Sequence, residues 1–310
     1  MKIRKISDVL ESNPYPGRGI IMGRSPSGQK AVIAYFIMGR SDNSRNRIFT
    51  QSGVHGWDVR TEAFDESMLT DPSLIIYTPV KVWGDSIIVT NGNQTDEIAK
   101  LMGNQLTFGQ TLQFLEFEPD APYYTPRISA VMNFRGRGGL DYSMSIVKSA
   151  EANTASCRRF LYSYAMPGSG IGHFIHTYGN DSVKLPSFEG EPVPVLIDDS
   201  IDVFTNTIWN SLNEENKVSL FVRFVNIVDG EYESRIINKN IKSRLEPKKP
   251  EIKAEPKAEI MPEIKEEPKA EIMPEVKAES KEEVMPEVKA KAKEEIKEEI
   301  KPEKTQEKES

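Results

Sequence analysis

The chain of 310 residues has a single cysteine, Cys157, and three histidines. One cysteine excludes an internal disulfide and a thiolate metal cluster, and three histidines leave a structural zinc site short of donors, so no metal is expected. Nowhere do ~18 apolar residues follow one another, and Met1-Lys-Ile-Arg-Lys-Ile is too polar for a signal peptide. The expectation is a soluble, cytoplasmic protein with no membrane partner. No Gly-x-Gly-x-x-Gly follows a strand and opens a helix. The nearest glycine cluster, Gly168-Ser-Gly170-Ile-Gly172, runs into the strand-like His173-Phe-Ile-His-Thr-Tyr178 and reads as a turn. Residue 2 is lysine rather than Ser, Thr or Cys, which excludes an N-terminal nucleophile without internal cleavage.

An excess of positive charge is also missing. Residues 246–310 hold 20 Glu and 15 Lys with neither Asp nor Arg, a net charge of −5, while the preceding 245 residues carry 25 basic and 27 acidic groups. A near-neutral body argues against nucleic acid as a partner. The acidic end repeats with a period of 12, beginning Glu251-Ile-Lys-Ala-Glu-Pro-Lys-Ala-Glu-Ile-Met-Pro262. Its prolines block a continuous helix and its few apolar residues cannot offset the entropy of ordering, so 246–310 is expected to be a disordered tail. Only Glu287–Ile300 lacks proline and could form a transient helix. Residues 1–245 are then expected to form one domain.

What is present in that domain is mostly strand. Gly19–Arg24 and Lys30–Met38 flank Ser25-Pro-Ser-Gly28 as a hairpin, and Leu74–Trp83 and Ser86–Thr90 repeat the pattern around Gly84-Asp85. Two helices are expected between Asp96 and Phe117, with Thr107-Phe-Gly-Gln110 as a capping box. Further strands are expected at Ile128–Phe134, Tyr142–Lys148, Arg158–Tyr164, Gly172–Tyr178 and Val218–Ile227, with a helix from Asp199 or Ser200 to Leu212. Runs of strands with few helices indicate an α+β layered domain rather than a doubly wound parallel sheet.

The Ala31–Met38 run leads into Gly39-Arg40-Ser-Asp-Asn-Ser-Arg45-Asn-Arg47, with Arg18 and Arg24 just upstream. Clustered arginines at the mouth of a sheet suit a phosphate or carboxylate, because guanidinium is a rigid donor fork that stays charged. Polar residues also gather at the ends of apolar runs: Tyr77, Asn91, Asp96, Glu116, Glu118 and Thr125-Pro-Arg127. A carboxylate there can take a proton, a tyrosine can donate one and an arginine can stabilise negative charge; ordinary salt bridges and loop contacts are the other reading. Arg158 and Arg159 could lower the thiol pKa of Cys157, although a lone cysteine is usually a packed residue.

Five ordered blocks together resemble the archaeal-type IMP cyclohydrolase family. They are Tyr15-Pro-Gly-Arg18-Gly-Ile-Ile-Met-Gly-Arg24, Gly39-Arg40-Ser41 with Asn46-Arg47, Tyr77 seven positions before Gly84-Asp85, Thr90-Asn91-Gly92-Asn-Gln-Thr95-Asp96, and Thr125-Pro126-Arg127-Ile128. The match is best over about residues 15–135, and Gly172–Tyr178 looks like bacterial members. The resemblance implies closure of 5-formamidoimidazole-4-carboxamide ribonucleotide (FAICAR) to IMP with loss of water, the last step of purine synthesis, without cofactor or metal. It also implies the four-layer αββα sandwich of the N-terminal-nucleophile hydrolases, used without that nucleophile. In that pattern Arg40 with its neighbours, Tyr77 and a glutamate shortly before Thr-Pro-Arg are the expected site positions, Glu118 being the better match to that glutamate and Glu116 the alternative. With the chemistry of the ring closure added, Tyr77, Glu118 and Arg127 are the expected catalytic residues. Arg18, Arg40, Arg47, Asn91 and Asp96 are the expected substrate-binding residues. Which group is the base stays open, as does whether Arg40 holds the phosphate or reaches the carboxamide. The competing reading is a non-catalytic purine-nucleotide-binding module whose tail engages a partner. Homo-oligomerisation and the tail's partner are left open.

Overall fold

In the computed structural model, which describes residues 2–240 except 70, 71, 73, 74, 137, 151 and 152, the Ala31–Met38 run is buried at every position. Its alternate residues serve two different cores. Ala31, Ile33, Tyr35 and Ile37 face one, while Val32, Ala34, Phe36 and Met38 face another. A strand covered on both faces needs no polar alternation, which is why this segment reads as continuous apolar sequence.

The elements in chain order are α1 (Ile6–Ser12), β1 (Arg18–Arg24), β2 (Lys30–Met38), α2 (Asp42–Arg45), β3 (Arg47–Ser52), β4 (Asp58–Ala63), β5 (Val80–Trp83), β6 (Ser86–Thr90), α3 (Gln94–Gly103), α4 (Phe108–Thr111), β7 (Arg127–Phe134), β8 (Leu140–Ala150), β9 (Asn153–Ala165), β10 (Ile171–His176), β11 (Val193–Leu196), α5 (Ile201–Ser211), β12 (Lys217–Asn226) and β13 (Tyr232–Asn238). Among the described residues the strands form two sheets. One has the order β11-β10-β1-β2-β12-β13 and the other β3-β4-β5-β6-β7-β8-β9. Neighbouring strands in both are antiparallel.

The two sheets face each other across a shared core that includes Ile20, Ile33, Tyr35 and Phe221 from the first and Phe49, Val89, Ala130 and Met144 from the second. The far side of the first sheet packs on α1 and α5 through Ile6, Leu10, Phe204 and Ile208. The far side of the second packs on α3, α4 and the turn after it through Ile98, Phe108 and Leu112. The α+β class is therefore observed. The expected capping box is present: the Thr107 hydroxyl accepts from the Gln110 amide and the Gln110 side chain accepts from the Thr107 amide.

Several expectations are corrected. Of the strand expected over Leu74–Trp83, Leu74 lies outside the described residues, and of the rest only Val80–Trp83 is strand, because Ile75 and Ile76 donate to Pro72 in a turn and Tyr77 is tied to Thr61. The second expected helix is the four-residue α4, which passes into a 3-10 turn at Leu112–Phe114. Strands β3 and β4 were not expected, since the buried row of β4 is Val59, Thr61 and Ala63 and its alternation is hidden by weakly apolar residues. Strands β11 and β13 and helix α1 were likewise not read from sequence.

Chain contacts separate Met1–Pro250 from Glu251–Ser310. The expected tail, 246–310, lies outside the described residues. No helix among the described residues is long and apolar enough to cross a membrane.

Candidate functional site

Strand parity places three polar side chains between the sheets. Arg18 shares its face of β1 with Ile20 and Met22, Tyr35 shares its face of β2 with Ile33 and Ile37, and Arg47 shares its face of β3 with Phe49. Arg18 opens β1, and antiparallel pairing sets it opposite Ile37 near the end of β2. The chain reaches this end of the sandwich through Gly17, whose φ of +77° is open to glycine; a Cβ there would lie 2.3 Å from the Thr177 hydroxyl. Tyr77 arrives from the segment before β5 and Glu118 from the loop before β7.

Arg47 is fully buried. Its Nε donates to the Ser44 carbonyl at 2.8 Å, but Nη1 and Nη2 have no hydrogen-bond partner among the described residues. Arg18 Nε is likewise buried without a partner. Burial, helped by the charge of Arg18, pulls the Arg47 pKa down. For Arg18, burial is outweighed by the fields of Glu118, Tyr178, Tyr77 and Tyr15, and the guanidinium is held more firmly charged. Glu118 is 2% exposed; burial raises its pKa, against the opposing pull of Arg18 and Arg127. The Tyr77 hydroxyl meets that of Tyr35 at 2.8 Å, and burial together with Tyr77 pushes the Tyr35 pKa up. Two guanidiniums, a carboxyl and a phenol pair thus share one electrostatic environment. A buried guanidinium with unmatched donors leaves a strong preference for an incoming anion or carbonyl oxygen.

One wall of the cluster is the link between β6 and α3. Asn91 is fully buried, and its side chain donates to the Pro126 carbonyl at 2.8 Å and accepts from the Ile128 amide and Gln94 Nε2, both at 3.0 Å. The amide expected to bind substrate is thus engaged in fastening the end of β6 to the start of β7. Gln94 Oε1 in turn accepts from Arg127 Nη1 at 2.5 Å. Gly92 lies against two of the three catalytic candidates: a Cβ there would come within 2.7 Å of Arg127 Nη1 and 3.3 Å of Glu118 Oε1.

Tyr178 forms the other wall. It stacks on Tyr15 at 5.9 Å and its hydroxyl lies 2.7 Å from that of Thr125. The Thr125 hydroxyl proton goes to Asp120, so Tyr178 donates to Thr125. Burial pushes the Tyr178 phenol up to about 12.

The expected fork of arginines divides. Arg40 points to the rim, where its Nη1 donates to Asp181 and to the Ser182 carbonyl and its guanidinium lies 5.0 Å from the Tyr15 ring. Arg45 is spent on the Gly39 carbonyl and Asn216, and Arg24 on the Gly28 carbonyl of the hairpin turn. The cause is α2, whose Ser41–Ser44 capping box turns the chain between Arg40 and Arg47. Asp96 is separated from the cluster: on the first turn of α3 its 65% exposed side chain pairs with Lys81 at 2.6 Å, while its neighbour Thr95 points inward to Thr90. Glu116 is exposed whereas Glu118 is buried, and Glu118 is the glutamate the fold directs inward. Burial raises the Cys157 thiol pKa despite Arg159, the reverse of the expected activation.

Tyr35, Tyr15 and Tyr178 were not singled out from sequence. A tyrosine within the Ala31–Met38 run, which has no other polar side chain, was the available signal, since its buried hydroxyl requires a partner. Among the described residues no group of three or more His, Cys, Asp or Glu side chains is placed to hold a metal ion.

Comparison with known proteins agrees with the ordered blocks. The family described as IMP cyclohydrolase-like protein matches residues 15–231, a span that contains every member of the cluster. An IMP cyclohydrolase of Methanococcus aeolicus is 29% identical over 123 residues, covering 38% of this chain and 58% of the relative. That of Methanocaldococcus jannaschii is 30% identical over 124 residues, covering 38% and 57%. That of Methanopyrus kandleri is 25% identical over 176 residues, covering 56% and 79%. The chain thus spans less than three fifths of the first two relatives. On the match from residue 15 to residue 231, the chain belongs to the IMP cyclohydrolase-like family.

Proposed function

We propose that the chain closes 5-formamidoimidazole-4-carboxamide ribonucleotide to IMP, the final step of purine synthesis. The observation that carries this reading is the fully buried Arg47 guanidinium with two unmatched nitrogens, set beside Arg18, Glu118 and the Tyr77–Tyr35 pair. The relatives named IMP cyclohydrolase supply the reaction. The order of layers, helices outside two facing sheets, supports the N-terminal-nucleophile hydrolase architecture, used here for chemistry that needs no nucleophile from the protein.

In the reaction the carboxamide nitrogen attacks the formyl carbon of the same molecule. A C–N bond forms, that nitrogen gives up one proton and the formyl oxygen gains negative charge. The oxygen then departs as water while the formamido nitrogen loses its proton. Holding the two substituents in one plane at contact distance supplies much of the acceleration. Glu118, with its pKa raised by burial, accepts the carboxamide proton and returns it to the departing oxygen. Tyr77, fixed by Tyr35, donates to the developing oxyanion, and Arg18, Arg47 and Arg127 balance its charge. Arg40, at the rim, exchanges Asp181 for the 5′-phosphate. Asn91 acts by holding the β6–β7 end in place.

The test is formation of IMP from the formamido ribonucleotide by purified full-length protein. The expected result is turnover far above the spontaneous rate, with Tyr77→Phe and Glu118→Gln each lowering kcat by ~10²-fold or more at little change in substrate affinity. A folded protein that binds IMP and forms none from substrate would instead identify a non-catalytic nucleotide-binding module.

A further inference from the structure

A cleft of about 750 Å³ opens between the N-terminal segment, the edge formed by β8 and β9, and the 176–193 segment. Among the described residues its walls carry the basic side chains of Arg4, Lys148, Arg158 and Lys184 and one acidic one, Glu189. The size is that of a nucleotide site. Four cations in one concavity stand out on a body whose 25 basic and 27 acidic groups nearly cancel.

Lys148 shows that the cleft is built rather than incidental. Its side chain is 6% exposed, and its ammonium is held by the Phe188 carbonyl at 2.8 Å and by Glu189 at 3.6 Å, a carboxylate that is itself 81% exposed. The ring of Phe160 lies 5.5 Å from the same nitrogen. A buried ammonium with one carbonyl and one solvated carboxylate is under-compensated, and burial accordingly lowers its pKa. A phosphate in the cleft would meet Lys148 from inside and Arg4 and Lys184, both exposed, from the rim.

The cleft is separate from the Arg18–Arg47 cluster, since none of Arg18, Arg47, Tyr77 and Glu118 lines it. The two share a wall. Asn13 lines the cleft and also donates to the Tyr178 carbonyl at 3.0 Å and accepts from the Tyr15 amide at 3.2 Å, so it grips both aromatic residues that stack beside Arg18.

We propose that this cleft is a second anion site, which takes a phosphate-bearing ligand of nucleotide size independently of the Arg18–Arg47 cluster. Inorganic pyrophosphate and IMP serve as separate probes in calorimetric titrations of the full chain, which distinguishes a free polyphosphate from a nucleotide monophosphate as the source of the anion. The wild type is compared with Arg47→Gln and with the double variant Arg4→Ser/Lys184→Ser, whose exposed positions leave the core untouched. At least one probe is expected to bind wild type and Arg47→Gln alike and to bind the double variant ~10-fold or more weakly, with Lys148→Met weakening it further. Binding of both probes that is lost in Arg47→Gln, or that is unchanged in the double variant, overturns the proposal. So does the absence of binding by either probe to folded wild type. These titrations do not depend on turnover, so their failure and a failure of cyclisation are separate results.

Discussion

At the scale of single residues, Arg47 is the side chain whose cost is most visible. A fully buried cation with two unmatched nitrogens is tolerated only where something other than stability requires it. Arg47→Met would fill similar volume without a charge, giving up only the bond from Nε to Ser44. In the absence of ligand this variant is expected to be more stable by ~1 kcal/mol, which raises Tm by ~2–4 °C for a domain of this size. It should lose IMP formation at the same time. A thermal melt and a turnover assay on the same preparation check both halves, and a lowered Tm would show that the guanidinium contributes to folding by itself. Gly92 and Gly17 are constrained in another way, by the space their missing side chains leave to Arg127, Glu118 and Thr177.

At the scale of elements, the two sheets are joined at one side by a side chain that imitates a strand. Asn238, the last residue of β13, accepts from the Phe49 amide at 2.7 Å and donates to the Phe49 carbonyl at 2.9 Å across to β3. This fastens β3, the strand that begins with Arg47, to the opposite sheet. Asn238→Leu leaves both buried backbone groups without partners and is expected to cost ~2–4 kcal/mol. Urea denaturation should then show a lower midpoint with an unchanged m-value. The β6–β7 end is fastened by the same means through Asn91, which explains why a residue selected for its polarity at a strand end turns out to be fully bonded.

At the scale of the whole molecule, stability should depend on pH through buried imidazole. His176 is 5% exposed, its Nδ1 lies 2.8 Å from the Tyr178 carbonyl, and burial lowers its pKa to about 4. Its ordinary value of 6.5 returns on unfolding, so the unfolded chain binds the proton more readily. The contribution is present in full above pH 6.5 and is lost as pH falls toward 4, by which point the loss amounts to ~3 kcal/mol. Glu118 acts in the opposite sense, since its raised pKa makes the folded state the better proton acceptor. Urea unfolding at pH 7 and pH 4.5 should therefore show a smaller acid loss in His176→Gln than in wild type. Equal losses would place the acid sensitivity on other groups.

The sequence alone determined the elements that carry a local signal. The β1–β2 hairpin, the β7–β8–β9 meander, the capped turn at Thr107 and helix α5 each follow from periodicity, turn residues or caps within a few positions of one another. The ordered blocks determined the family in the same way. Tertiary structure decided which of the polar residues meet. Arg40, Arg45 and Arg47 lie within eight positions, yet a four-residue helix sends one to the rim, one to the backbone and one into the core. Asp96 and Thr95 are adjacent and face opposite environments. The reason is that periodicity reports only the face a residue occupies on its own element. Which strand ends come together depends on antiparallel pairings between segments far apart in the chain, such as β1 with β10 and β2 with β12. Such pairings, together with the packing of the two sheets across their shared core, brought Arg18, Arg47, Tyr77 and Glu118 to one end of the sandwich.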